Sequence, residues 1–206
     1  MIYLFTQHNL ISEDILDSLI LKLPENRRQK ALSFKNVSSK LSSVLAYLVF
    51  LYGFRNICNC KELPEFATME SGKPYIKDYP DIHFNISHCE GGVCCFFGKN
   101  PVGIDIQDKR RLNSSIIRKV CNENEIEQIE TSPVPELEFA RIWSVKESFS
   151  KINGDGIFRD LQNLDYKNVN FFTKLVDDNK YMTASSYDKA ACFDIINLSV
   201  SDLISL

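Results

Sequence analysis

The stretch "HFNISHCEGGVCCFFGKNPVGIDIQ", residues 83–107, decides how this chain folds. Its runs "HFNIS", "GVCCFFG" and "VGIDIQ" are rich in β-branched and aromatic residues and are separated by turn residues. With "KPYI" upstream they predict a sheet from about residue 73 to 107. Strand alternation places His83, Asn85 and Ser87 on one face and Phe84, Ile86 and His88 on the other. In the last run Gly103, Asp105 and Gln107 share a face opposite Ile104 and Ile106.

Outward from that stretch the elements repeat in kind. Upstream, "MIYLF" reads as a strand and "SEDILDSLILKL" as a helix capped by Ser12. "PENRRQKALSF" opens a second helix at Pro24, and "VSSKLSSVLAYLVFLYGF" reads as a long buried helix capped from Ser38 or Ser39. Downstream, 114–130 and 136–152 are helical, separated by "TSPVP", whose prolines stop a continuous helix. "VNFFTKL", "KYMTASS" and "AACFDII" then read as three closing strands. Helices followed by antiparallel-looking strands, twice over, give an α+β protein of two similar lobes, 1–100 and 101–206. The turn "GKNP" joins them and a cleft lies between them.

The chain has 206 residues, 44% hydrophobic and 25% charged, which excludes disorder as the main state. A net charge of −3 and a pI near 5.7 argue against wholesale nucleic-acid binding. Any anion site is therefore local. The N-terminus lacks a basic region before its apolar residues, and the longest apolar run, 44–54, is too short to cross a bilayer. A cytoplasmic protein without membrane contact is the expectation. Seven cysteines with irregular spacing fit reduced core thiols better than disulfides or structural zinc.

Three segments can carry chemistry. In "FARIWSVKESFSKINGDG", residues 139–156, Ile142, Val145, Phe149 and Ile152 form an apolar stripe. Trp143, Lys146, Glu147, Ser150 and Lys151 occupy a neighbouring face. Taken alone this is also an amphipathic helix with a solvated Glu147–Lys151 pair, ended by Gly154 or Gly156. In "PVGIDIQ", Asp105 on the polar strand face suits a hard cation, with Gly103 admitting a bulky ligand; a polar edge strand reads the same way. In "NISHCEGG", a Ser-His-Cys run with two glycines fits a nucleophilic pair, a metal site or a phosphate cradle. Ser87, His88 and the N–H groups of Gly91 and Gly92 can donate to phosphate. Activating Cys89 would need His8 or His83, neither in a recognisable site.

Taken in order, "SGKPYI", "FNISHCEGGVCCFFG", "VGIDIQ" and "WSVKESFSKINGDGI" resemble the 4′-phosphopantetheinyl transferases, of the monomeric type that activates surfactin synthetase. The V-G-[IV]-D motif is Val102 to Asp105, and W-[ST]-x-K-E-[AS]-x-x-K is Trp143 to Lys151. Gly72 to Pro74 and Phe84 to His88 match two further elements. The resemblance implies an intramolecular pseudo-dimer, a monomer whose cleft holds coenzyme A. It also implies transfer of the phosphopantetheine arm to a serine of an apo acyl or peptidyl carrier protein, releasing 3′,5′-ADP. Asp105 and Glu147 would hold Mg²⁺, with Gln107 a metal neighbour where this type usually has an acid. Glu147 would serve as base, and Lys151 and Lys146 would contact phosphate. Ser87 and His88 would bind the pyrophosphate, and Lys73 the nucleotide. Arg27, Arg28, Lys30 and best of all Lys40 would meet the 3′-phosphate. The basic, amphipathic segment from Gln107, including Arg110 and Arg111, would meet the carrier. A coenzyme-A-dependent acyltransferase and a binding protein that has lost catalysis are the rival readings.

Overall fold

The computed structural model describes residues 1–154 and 160–206, and the runs within 83–107 form three strands. These are β4 (His83–Cys89), β5 (Gly92–Gly98) and β6 (Val102–Asp108). β5 pairs antiparallel with β4 on one side and with β1 (Ile2–Phe5) on the other. β6 begins a second sheet, pairing with β8 (Lys180–Ser186), which pairs with β7 (Asn170–Asp177). The two sheets are tied where β4 passes β6, through side chains of the strand face that alternation selected. The Ile104 N–H donates to Asn85 Oδ1 at 2.9 Å and the Ile106 N–H to Ser87 Oγ at 3.3 Å.

Alternation also builds the interior. Tyr3, Phe5, Val93, Cys95 and Phe97 point into a core beneath α3 (Val37–Cys58), while Ile2, Leu4, Cys94 and Phe96 point the other way. The second set meets Val102, Ile104, Ile106, Met182 and Ala184, so the two sheets pack face to face. α6 (Pro135–Asn153) covers the outer face of the second sheet as α3 covers that of the first. Among the described residues α3 is the one helix long and apolar enough to cross a membrane by length and composition, a longer apolar span than 44–54. In the fold its apolar residues go into the first core. It lies close to the sheet at Gly53, where a Cβ would stand 2.5 Å from the Phe97 ring and 2.7 Å from the Tyr3 ring.

Other differences from the sequence reading have local causes. α1 (Glu13–Leu21) is capped by Ser12 as expected, and α2 (Glu25–Ser33) follows Pro24. The cap of α3 is Asn36, whose Oδ1 accepts from the N–H groups of Ser38 and Ser39, so those serines are inside the helix. The helix expected over 114–130 is two, α4 (Ser114–Val120) and α5 (Glu123–Thr131), because Asn122 forms a capping box with Glu125. A short strand, β2 (Phe66–Thr68), pairs with β3 (Pro74–Ile76) as a separate hairpin.

The largest difference is at the chain end. β9 (Ile195–Leu198) does not close the second lobe: it pairs parallel with β1, and α7 (Val200–Ile204) follows it, placing Leu198 and Leu203 in the first core. The last strand thus joins the first sheet, across the expected division at residue 100. The reason is the free edge of β1, which β9 covers.

Candidate active site

β6 and α6 bring the two acidic candidates together because α6 lies almost on the strand. At Gly103 an added Cβ would sit 1.8 Å from the Ser148 carbonyl oxygen. The sequence reading gave Gly103 to a bulky ligand; the space is occupied by the backbone of α6. With that close approach Asp105 on β6 and Glu147 on α6 are both buried, at 5% and 8% exposure.

The polar contacts around them form one network. Lys151, one turn after Glu147, turns its ammonium to Asp105 Oδ1 at 2.6 Å, which replaces the expected exposed pair with Glu147. Ser87 donates to the same Oδ1 at 2.7 Å, while its own oxygen accepts from Lys151 Nζ at 3.1 Å. Asp105 Oδ1 therefore has two donors. Asp105 Oδ2 and Glu147 Oε1 are buried with no hydrogen-bond partner among the described residues. Burial pushes the Glu147 carboxyl above its ordinary range, opposed by Lys151 and reinforced by Asp105. Two carboxylates beside one lysine leave net negative charge in a poorly solvated site, and unfilled carboxylate oxygens there are costly. A hard, oxygen-ligated divalent cation fits both facts. Among the described residues no three His, Cys, Asp or Glu side chains gather, so such an ion would keep sites open for water or phosphate. Gln107 follows Asp105 on the same strand face, with its amide nitrogen donating to the Asp108 carbonyl at 3.2 Å.

A cleft of about 700 Å³ lies beside this network, between α2, α3 and the outer face of β4. Phe84, Ile86 and His88 form its floor. Arg27 and Lys30 come from α2, Ser38, Ser39, Ser42 and Ser43 from α3, and Arg110 closes the end near His88. Arg27 is held with its guanidinium over the rings of Tyr47, at 5.4 Å, and Phe66, at 5.2 Å. Burial lowers the His88 pKa, as does Lys151, with Asp105 opposing. On the cleft wall, His88 is near enough to the acidic network for Lys151 and Asp105 to bear on its titration.

Several expected ligand contacts are not where the sequence put them. Lys146 is 2% exposed and points into the second lobe, pairing with Glu125 at 2.8 Å and donating to the Leu161 carbonyl at 2.6 Å. Its ammonium has no reach to a phosphate in the cleft. Lys73 donates to the carbonyls of Val102, Lys151 and Ile152, which uses all its protons and takes it off the nucleotide. Lys40 and Arg28 are absent from the cleft wall, whereas Arg27 and Lys30 are on it. Gly91 and Gly92 form the β4–β5 turn against Lys180 and Ile106, outside the cleft wall, so they cradle nothing there. Gly154 is the left-handed cap of α6, and Gly156 lies outside the described residues. The four serines were missed. Their signal was present: "SSKLSS" sets serines at i, i+1, i+4 and i+5, one helix face, on an otherwise apolar helix.

Comparison with known proteins bears on the same residues. A family model described as the 4′-phosphopantetheinyl transferase superfamily matches residues 101–192, which include β6 and α6. The 4′-phosphopantetheinyl transferase gsp of Aneurinibacillus migulanus is 28% identical over 95% of this chain and 87% of its own length. The 4′-phosphopantetheinyl transferase Sfp of Bacillus subtilis (strain 168) is 39% identical over 45% of this chain, and that match spans 42% of the relative. An L-aminoadipate-semialdehyde dehydrogenase-phosphopantetheinyl transferase of Saccharomyces cerevisiae is 28% identical over 79% of this chain and 66% of its own length. The stretch that carries β6 and α6 is thus similar in sequence to the 4′-phosphopantetheinyl transferases.

Proposed function

We propose that this protein transfers the 4′-phosphopantetheine arm of coenzyme A to a serine hydroxyl of an apo acyl or peptidyl carrier protein, releasing 3′,5′-ADP. The observation that carries the reading is the pair of buried oxygens without a partner among the described residues, Asp105 Oδ2 and Glu147 Oε1, in the network where the Lys151 ammonium meets Asp105. Asp105 and Glu147 would hold Mg²⁺, with Gln107 as an uncharged neighbour. When bound, that ion would neutralise pyrophosphate charge and polarise the attacked phosphorus. Lys151 and His88 would contact the pyrophosphate, with Ser87 fixing Lys151 and Asp105 rather than facing the ligand. Arg27, Lys30 and the α3 serines would take the nucleotide phosphates, and the ring-lined floor the apolar parts of the coenzyme.

The reaction forms a bond from the carrier serine oxygen to the β-side phosphorus of the arm and breaks that phosphorus's bond to the bridging pyrophosphate oxygen. Glu147, with its raised pKa, would accept the serine proton. Lys151 would compensate the charge that builds on the departing phosphate.

Strand order supports a repeat of one unit. β4-β5-β1 beneath α3 is matched by β7-β8-β6 beneath α6, each a hairpin whose second strand pairs with the unit's first. We read this as the pseudo-dimer, in a cytoplasmic monomer whose seven cysteines are free thiols. For the carrier surface we propose α4 and the segment before it, a reading supported by the exposure of Arg111, Arg118 and Lys119 around Ile116, 44% exposed. Arg110 is on the cleft wall, so Arg111 alone separates carrier binding from coenzyme binding.

The test is incubation with coenzyme A, Mg²⁺ and purified apo-carriers, followed by intact-mass measurement. A carrier gaining one phosphopantetheine, lost in Glu147→Ala and Asp105→Ala and on chelation, supports the reading; no gain with any carrier rejects it.

A further inference from the structure

Lys73 is a half-buried cation whose ammonium is held by backbone alone. It stands in the turn of the β2–β3 hairpin, which is closed by the Met69 N–H to Lys73 carbonyl bond at 2.9 Å. Its ammonium donates to the Val102 carbonyl at 2.9 Å, the Lys151 carbonyl at 2.8 Å and the Ile152 carbonyl at 2.6 Å. Three donors meet three acceptors. The first acceptor opens β6, three residues before Asp105. The other two lie in the last turn of α6, where helical carbonyls have no intrahelical partner and carry the negative end of the dipole.

The hairpin grips the same place with its backbone side. At Gly154, the left-handed cap of α6, an added Cβ would lie 2.7 Å from Ser71 Oγ and 2.8 Å from Lys73 Cβ. The turn thus closes over the end of α6 while Lys73 reaches beneath it to β6. A continuous path results: the Lys73 ammonium holds the Lys151 carbonyl, and the Lys151 ammonium holds Asp105 Oδ1.

We propose that Lys73 is a positioning residue for the phosphoryl transfer, a clamp that fixes the end of α6 against β6 so that Lys151, Glu147 and Asp105 keep their mutual geometry. The proposal rests on the transferase reading for its kinetic consequence only. Three carbonyls occupy the Lys73 ammonium, and the clamp leaves coenzyme binding to the cleft wall.

The test compares wild type, Lys73→Met and Lys73→Ala by two readouts. In carrier modification, Lys73→Met loses about 10²-fold in kcat, as expected when reacting groups are displaced by an ångström, with KM for coenzyme A unchanged. Propylammonium partly restores the kcat of Lys73→Ala. Wild-type kcat in Lys73→Met overturns the proposal, as does a loss expressed wholly in KM, which would return Lys73 to the nucleotide. The second readout is amide hydrogen exchange, which needs no turnover. Exchange rises at 148–154 and 102–106 in Lys73→Met, while unchanged exchange overturns the clamp. If wild type modifies no carrier, the transferase reading fails and exchange still decides the clamp. Should Lys73→Met not fold, Lys73→Arg keeps the charge in a different fork, and about a tenfold kcat loss at constant KM is expected.

Discussion

Glu147 shows how one residue can lower stability and still belong. Its carboxylate is buried, its Oε1 has no partner among the described residues, and burial raises its pKa. Glu147→Gln should therefore raise the Tm of metal-free protein by a few degrees, the effect of about 1 kcal/mol in a chain of this size. It should also lower turnover by about 10²–10³-fold. Mg²⁺ added to the coenzyme-A-saturated protein should raise the wild-type Tm further and give no such increment in the variant. Differential scanning fluorimetry and a carrier-modification assay read both. His8 is a second case. Both ring nitrogens are buried without partners among the described residues, and burial, with Lys180 and His88 adding, pushes the imidazole down to about 4. Between the ordinary value of 6.5 and about 4 the unfolded chain binds a proton that the folded one refuses, so stability falls as pH falls through that window. His8→Phe, against Phe5, should flatten the plot of Tm against pH there; an unchanged slope counts against the burial of those nitrogens. At this scale sequence told residue type better than direction. Asp105 and Glu147 lie where alternation and helical spacing put them. The partners of Lys73 and Lys146 include backbone carbonyls, which leave no mark in a sequence.

Among the elements, the contact of α6 with β6 sets the site. Gly103→Ala would force a methyl to within 1.8 Å of the Ser148 carbonyl oxygen, and neither backbone can yield without parting helix from strand. A loss of about 3 kcal/mol or more in denaturant unfolding is expected, beyond the usual cost of overpacking by a side chain. A loss below about 0.5 kcal/mol would show that α6 does not ride on the strand as described. Element identity was largely legible, because period and turn residues are local signals. Pairing was not. "AACFDII" reads as a strand, but nothing in its own pattern says that its end joins β1 in parallel rather than β8. Capping failed for the same reason: Ser38 and Ser39 are good cap residues, yet Asn36 two positions earlier takes the role and leaves the serines to the cleft.

The whole molecule is two helix-covered sheets packed face to face, with the acidic network where β4 passes β6 and the basic cleft beside it. A net charge of −3 coexists with a cationic cleft because Arg27, Lys30 and Arg110 gather there from α2 and the segment after β6. The proposed transfer needs one divalent ion shared by Asp105 and Glu147 over a bound pyrophosphate. Calorimetric titration of Mg²⁺ into protein saturated with coenzyme A tests this directly. The account predicts a single saturable site in wild type, abolished by Asp105→Asn alone and by Glu147→Gln alone. Undiminished Mg²⁺ binding in either folded variant would contradict it.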